Sequence, residues 1–239
     1  MNASKARTVV LISGRGSNMS SLLTASQNGS CHIDIAAVIS NRPLAPGLQS
    51  AAQAGVATEC IDHTEFDSRA SFDASLAERI TSYEPELVIL AGFMRILTPE
   101  FTRQFEGRML NIHPSLLPKY PGLNTHQRAI DAGDTEHGAS VHFVTAELDG
   151  GPVAVQSVVP VLKGDNADSL AERVLSTEHQ LYTVAADWFG RGLLKMASNK
   201  GVLCEQNLKK PVILRNAQLE GVEPVWHKLL TSAGPLAQQ

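Results

Sequence analysis

Apolar residues in this chain fall first into short unbroken runs. Residues 8–12, 35–39 and 87–90 are continuous or nearly continuous apolar stretches of strand length. A strand reads this way when both of its faces are covered, as in a parallel sheet between helices. Between these runs the spacing changes. Met19, Leu22 and Leu23 predict a helix beginning near Asn18, and Pro46–Ala54 predicts another that ends at Gly55. Val56–Ile61 reads as a third strand. Phe72, Leu76 and Ile80 recur every fourth residue and predict a buried helical stripe starting near Ser68. Thr98-Pro99-Glu100 is a helix start, with a capping hydroxyl and then proline at the first helical position. A strand over Arg108–His113 follows. This strand–helix alternation predicts an α/β fold: a mainly parallel, Rossmann-like sheet with helices on both faces.

The pattern then changes. Ala139–Ala146 and Val153–Val161 read as strands joined by residues 147–152, a connection suited to an antiparallel pair. Asn166–Phe189 is a long helical stripe through Leu170, Val174, Leu181, Val184, Ala185 and Trp188, interrupted by the polar Glu178 and His179. Beyond Gly192 the segments Gly201–Glu205 and Pro211–Arg215 predict a short hairpin. Residues 231–239 lack apolar periodicity and are expected to fray. The expected organisation is one domain over residues 1–195, in halves of about 1–107 and 108–195, with an extension at 196–239.

Composition narrows the classes. With 239 residues, 43% hydrophobic and 18% charged, the chain is an ordinary globular sequence. A formal net charge of −4 supplies no global basic field for nucleic acid. The apolar runs fall short of the ~18 residues of a membrane helix, and the N-terminal run reads as a first strand rather than a signal peptide. Cys31, Cys60 and Cys204 are isolated in sequence, so reduced thiols that pack as small hydrophobes, in a cytoplasmic protein, are expected. His113, His126, His137, His142 and His179 form no recognised metal-ligand spacing, and no metal is expected.

Several stretches carry candidate chemistry. Asn111 and His113 stand two residues apart at a strand end, which puts both side chains on one face. Pro114 keeps His113 extended, and Pro118, Pro121 and Gly122 stiffen the loop behind it. Ser13-Gly14-Arg15-Gly16-Ser17-Asn18 breaks the first strand just before a helix, an arrangement that presents free backbone N–H groups to an anion. Met19 stands where a dinucleotide fingerprint needs glycine, and no Gly-Lys-Ser/Thr occurs, so the loop suits a single phosphate better. Phe93, Met94, Ile96 and Leu97 suit an apolar slot for a flat ring, and Arg95 a carboxylate. Arg69 sits in a first helical turn, where a cation opposes the dipole. Asp149 stands at a loop tip. A carboxylate near His113 would favour the imidazolium, and Asn111 would share a developing oxyanion with it. Taken singly, each has a plainer reading: His113 as a core histidine, Asp149 as a turn residue, the slot as core.

The motifs Ser-Gly-Arg-Gly-Ser-Asn at 13–18, Ile-Ser-Asn-Arg at 39–42, Leu-Ala-Gly-Phe-Met-Arg-Ile-Leu at 90–97, Asn-Ile-His-Pro-Ser-Leu-Leu-Pro at 111–118 and Asp-Gly-Gly-Pro at 149–152 occur in that order. Over roughly residues 8–195 the chain resembles the phosphoribosylglycinamide formyltransferase family of folate-dependent purine enzymes. The resemblance implies the formyltransferase fold and transfer of a formyl group from the co-substrate 10-formyltetrahydrofolate to a glycinamide ribotide. It implies that Gly16, Ser17 and Asn18 hold the ribotide phosphate, and that Leu175, Ser176, Thr177 and Glu178 hold its sugar and glycinamide. Met94, Arg95, Ile96 and Leu97 would clasp the pterin, with Thr145, Ala146, Glu147, Leu148 and Asp149 closing the pocket. Arg69 would contact the folate and Asn111 the formyl region. His113 would donate a proton, with Asp149 raising its pKa. The expected partners are small molecules, without nucleic acid or membrane, acting on a monomer or homodimer. The sequence departs from the family pattern at Arg15, where a smaller neutral residue is expected, and at Asn124, where relatives often carry histidine. A methionyl-tRNA formyltransferase would add a carboxyl-terminal domain, and a formyltetrahydrofolate hydrolase a regulatory domain before the glycine loop. A noncatalytic phosphate-binding module is the rival from another class.

Overall fold

A computed structural model describes residues 5–197, 200–203, 205–222, 224–231 and 234–236. Nine strands form the main sheet: β1 (Ala6–Ile12), β2 (Ile33–Ser40), β3 (Ala57–Cys60), β4 (Leu87–Leu90), β5 (Met109–His113), β6 (Glu136–Phe143), β7 (Val153–Pro160), β11 (Val212–Arg215) and β12 (Gln218–Glu220). Their spatial order is β12-β11-β7-β6-β5-β4-β1-β2-β3. The five strands from β3 to β5 are mutually parallel, whereas β6 runs antiparallel to both β5 and β7. Strands β8 (Leu194–Ala197), β9 (Lys200–Leu203) and β10 (Gln206–Asn207) make a small antiparallel sheet.

Alternation along the central strands sorts the core into two layers. Val10 and Ile12 of β1, with Leu110 and Ile112 of β5, pack beneath α1 (Ser17–Gln27) and α6 (Ala167–Gly190). Val9, Leu11 and Met109 face the other way, toward α3 (Arg69–Ser82) and α4 (Pro99–Gln104). The period of two therefore turns Asn111 and His113 toward the α3/α4 layer, where core packing leaves a gap. Tyr182 of α6, fully buried, aims its hydroxyl at the carbonyls of Leu90 (3.0 Å) and Leu110 (2.9 Å), and its one proton serves either. That contact joins the carboxyl end of β4 to the start of β5 from below.

The helix starts behave as their residues dictate. Ser68 and Asn166 cap α3 and α6 through reciprocal boxes with Ser71 and Ser169, and the Thr98 side chain accepts the N–H of Phe101. Helix α2 (Pro46–Gln53) opens on its proline.

Several expectations need correction. Strand β6 runs Glu136–Phe143 instead of Ala139–Ala146. It begins earlier because Gly138 belongs to the strand: a Cβ there would collide with the Ser157 carbonyl of β7. It ends earlier because the backbone of Gly151 passes against the Phe143 carbonyl. Residues 201–203 and 212–215 do not pair with each other: β9 joins β8 and β10, while β11 lies parallel to β7 and antiparallel to β12. Part of the extension thus lengthens the main sheet. The helices α5 (Thr125–Asp131) and α7 (Pro224–Thr231) have no counterpart in the sequence reading. The expected fraying falls partly on positions 232, 233 and 237–239, outside the described residues, but Leu236 is buried. Cys31 is buried as expected and Cys60 is exposed; Cys204 lies outside the described residues. Among the described residues no helix is long and apolar enough to cross a membrane.

His137 of β6 is buried beside His126 of α5, its Nε2 lying 3.1 Å from Nδ1 of His126. Burial, then the neighbouring His126, pushes His137 down from 6.5 to about 4. The unfolded chain therefore takes up the proton first, and this contribution to stability is lost as pH falls from 6.5 toward 4, by about 3 kcal/mol at full protonation. Urea unfolding at a series of pH values is expected to show a shallower acid slope in His137→Gln than in the parent. Equal slopes would mean that this pair does not contribute to acid unfolding.

Candidate active site

The parallel strands β1, β4 and β5 are successive neighbours, so their carboxyl ends open on one edge of the sheet. That edge is where ligands enter open α/β sheets. Here it gathers the Gly14–Asn18 turn, the Ala91–Leu97 loop and the Asn111–His113 strand end. The connection between β6 and β7 returns to the same place and brings Asp149 to His113.

His113 is 6% exposed. Its Nε2 lies 2.9 Å from the carbonyl of Tyr120, an acceptor that fixes a proton on that nitrogen. Its Nδ1 faces Oδ2 of Asp149 at 3.5 Å. Both ring nitrogens thus point at oxygen, an arrangement fully used only by an imidazolium with two N–H groups. The Nδ1 contact is longer than a hydrogen bond, so Nδ1 keeps room for a third atom. Asp149 occupies left-handed backbone space at φ 51°. The same Oδ2 accepts the N–H of Gly122 at 2.8 Å, and Oδ1 lies 3.8 Å from Nε2 of His142.

Asn111 is oriented by His142, a residue the sequence reading did not single out. Nδ1 of His142 lies 2.9 Å from the Phe143 carbonyl and so carries the proton. Its bare Nε2 then accepts the Asn111 amide at 3.1 Å. Burial pushes the His142 imidazole down, in keeping with this neutral tautomer. One amide hydrogen of Asn111 is spent here and the other is free for a ligand. Only the β5–β6 register, which sets Asn111 opposite His142, reveals the link.

A second buried network holds the loop behind His113. Ser140 lies opposite His113 in the same register. Its hydroxyl donates to the Ser115 carbonyl (2.6 Å) and accepts from the N–H of Leu117 (3.0 Å) and the Gln156 amide (2.8 Å). Gln156 also donates to the Leu117 carbonyl at 2.9 Å. The segment carrying the Tyr120 carbonyl and the Gly122 N–H is therefore anchored to β6 and β7. Ser140 and Gln156 carried no signal in sequence, because each is a polar residue whose partners lie far along the chain.

Beside this trio a pocket opens between β5, α4 and the β6–β7 loop. Phe93, Arg95, Ile96, Leu97, Asn111 and the run Val144–Asp149 all line it. Five of the expected ring-binding positions at its far wall, Thr145, Ala146, Glu147, Leu148 and Asp149, are thus brought to Asn111. Ile96 and Leu148 are more than half exposed, an apolar rim open to a flat ligand. The Arg95 guanidinium lies over the Phe72 ring at 5.9 Å, and its buried Nε has no protein partner. Met94 is 60% exposed and does not line the pocket; its N–H donates to Ser13 Oγ at 2.7 Å, tying this loop to the end of β1. Arg69, exposed in the first turn of α3, also stands outside the lining.

The glycine turn forms the other arm. Gly16 takes φ 73° at the N-cap of α1, and no side chain caps that helix start. The turn is pressed against α2: Gly47 donates its N–H to the Gly14 carbonyl at 3.1 Å, and a Cβ on Gly47 would sit 2.6 Å from Ile12 Cδ1. Ser17 is exposed, while Asn18 is buried and donates its amide to Glu178 of α6 at 2.8 Å. Oδ1 of Asn18 is buried without a protein partner. Burial raises the Glu178 carboxyl, and the Asn18 hydrogen bond opposes it, with smaller help from His179 and His113. Glu178 therefore belongs to the same electrostatic neighbourhood as His113. Leu175 and Ser176 are exposed on the same helix, and Thr177 is tied to Ser157 at 2.7 Å. Among the described residues no group of three or more His, Cys, Asp or Glu side chains is arranged to hold a metal.

Comparison with known proteins agrees with this architecture. Residues 6–186 match a family model described as Formyl transferase. The phosphoribosylglycinamide formyltransferase of Escherichia coli is 51% identical over 200 residues, covering 84% of this chain and 94% of the relative. That of Haemophilus influenzae is 42% identical over 204 residues, covering 85% and 96%. The solved phosphoribosylglycinamide formyltransferase of Coxiella burnetii superposes with a TM-score of 0.81 at 47% identity, over 85% of this chain and 95% of that one. The chain belongs to the phosphoribosylglycinamide formyltransferase family.

Proposed function

We propose that Asn111, His113 and Asp149 carry direct transfer of the formyl group of 10-formyltetrahydrofolate to the amine of 5'-phosphoribosylglycinamide. The products are formylglycinamide ribonucleotide and tetrahydrofolate, in de novo purine biosynthesis. The observation that carries the reading is His113, held between the Tyr120 carbonyl and the Asp149 carboxylate beside the free amide hydrogen of Asn111. Asn111 and Asp149 line a pocket suited to the folate, with His113 facing Asp149, and the capless start of α1 suits the ribotide phosphate.

In this mechanism the ribotide amine attacks the formyl carbon and forms a tetrahedral adduct. Its oxyanion takes hydrogen bonds from Asn111 and from Nδ1–H of His113. Asp149 keeps that proton on Nδ1 by charge while leaving it shareable. His113 gives its proton to the folate nitrogen as the carbon–nitrogen bond to the donor breaks, and the proton lost by the amine nitrogen returns through water to His113. No protein nucleophile takes part. Gly16, Ser17 and Asn18 hold the phosphate, Leu175–Glu178 the sugar and glycinamide, and Arg69, Met94–Leu97 and Thr145–Asp149 the folate. The reading describes a cytoplasmic enzyme, monomeric or homodimeric, acting on two small molecules and needing no metal.

The deciding assay supplies ribotide and 10-formyltetrahydrofolate and follows tetrahydrofolate release, with a ribotide-free control. His113→Ala and Asp149→Asn are each expected to lower kcat by about 10²–10⁴ at saturating substrates. Asn111→Ala is expected to cost about 10²–10³ in kcat, the effect of removing one oxyanion donor. Near-normal turnover in the first two variants rules out their roles, and release without ribotide points to a hydrolase. Asn18→Ala is expected to raise the ribotide Kd about tenfold, the loss of roughly 1.4 kcal/mol. An unchanged Kd by calorimetry removes Asn18 from the phosphate arm.

A further inference from the structure

Two arginines flank the glycine turn without a counter-charge. Arg15 is exposed within the turn, and Arg42 is exposed just past the end of the neighbouring strand β2. The strands pair in parallel with Ile12 opposite Ser40, so both arginines leave the sheet on the same edge. The two chain ends are joined there: Ser13 Oγ donates to Asn41 Oδ1 at 2.5 Å. The Arg42 backbone is clamped as well, its N–H donating to Ser40 Oγ at 3.0 Å and its carbonyl accepting from Ala45 at 3.3 Å. Arg79, Arg103, Arg173 and Arg215 each meet a carboxylate within 4 Å; Arg15 and Arg42, like Arg69, Arg95, Arg108 and Arg128, have no such partner among the described residues, and only Arg15 and Arg42 of these stand at the glycine turn and the adjoining strand end. In a chain of net charge −4, two exposed guanidinium groups on the sheet edge that carries the start of α1 form a local positive field.

We propose that Arg15 and Arg42 form a cationic rim that draws the ribotide's phosphate dianion into the Gly16–Asn18 turn and sets the preference for the ribotide over its dephosphorylated riboside. This inference rests on the phosphate reading of that turn. A rim charge acts mainly on encounter and on the bound dianion, and salt screens it. The bulky cation at position 15 thereby gains a use: its chain leaves from a turn whose backbone is closed against α2, and its charge adds to the N–H groups of α1 rather than replacing them.

The test compares the parent with the double variant Arg15→Ala/Arg42→Ala across ionic strength, with ribotide and with riboside. In the double variant kcat/KM for the ribotide is expected to fall about tenfold at low salt, mostly through KM. The gap is expected to close near about 0.5 M salt, where the Debye length is a few ångströms. The KM for the formyl donor should move little, and Arg15→Lys/Arg42→Lys should recover most of the loss. If the parent prefers ribotide over riboside, but the double variant keeps the parent's ribotide KM and salt slope, the rim is overturned and the phosphate turn stands. If the parent does not discriminate between ribotide and riboside, the phosphate reading and the rim fall together.

Discussion

One carboxylate ties the site together. Asp149 accepts the N–H of Gly122, faces Nδ1 of His113 and approaches His142, and so joins the proline-rich loop after β5 to the loop between β6 and β7. Its side chain is 9% exposed, and a buried carboxylate is costly unless hydrogen bonds and opposite charge offset the lost hydration. The left-handed backbone at Asp149, with Gly150 and Gly151 following, is what turns the carboxylate inward. Without that carboxylate the Gly122 N–H loses its acceptor and Nδ1 of His113 its facing oxygen.

Two histidines of different character face this carboxylate, and a third, His137, lies farther back along β6. Burial pushes the His142 imidazole down, and the Phe143 carbonyl takes the proton of Nδ1, which leaves its other nitrogen as an acceptor for Asn111. His137 is neutral for the same reason of burial and packs against His126. His113 differs because both of its nitrogens meet oxygen. Of these three imidazoles, His113 is the one with a backbone carbonyl on one nitrogen and a carboxylate on the other.

Much of the frame was legible in the sequence because its signals are local. Leu87–Leu90 is a strand with the same ends in both readings, Thr98 caps α4, and Ser68 caps α3. Steric and hydrogen-bonding rules acting over three or four residues decide such features. The same rules misjudged β6, since Gly138 breaks a strand by propensity yet is required where β7 passes too close for any side chain. They also missed the pairing of β11, whose partner β7 lies far back along the chain.

For the site, the sequence alone determined the identities that chemistry requires: an amide and an imidazole on one face of a strand end, a glycine turn before a helix, and a carboxylate at a loop tip. These follow from strand periodicity, proline and glycine geometry, and charge. Only the tertiary structure decided how they meet. The antiparallel register set His142 against Asn111 and Ser140 against His113, and the folding back of the β6–β7 loop carried Asp149 to within 3.5 Å of the imidazole. The physical reason is that register and loop return are settled by contacts between distant segments, through close backbone approach and buried hydrogen bonds.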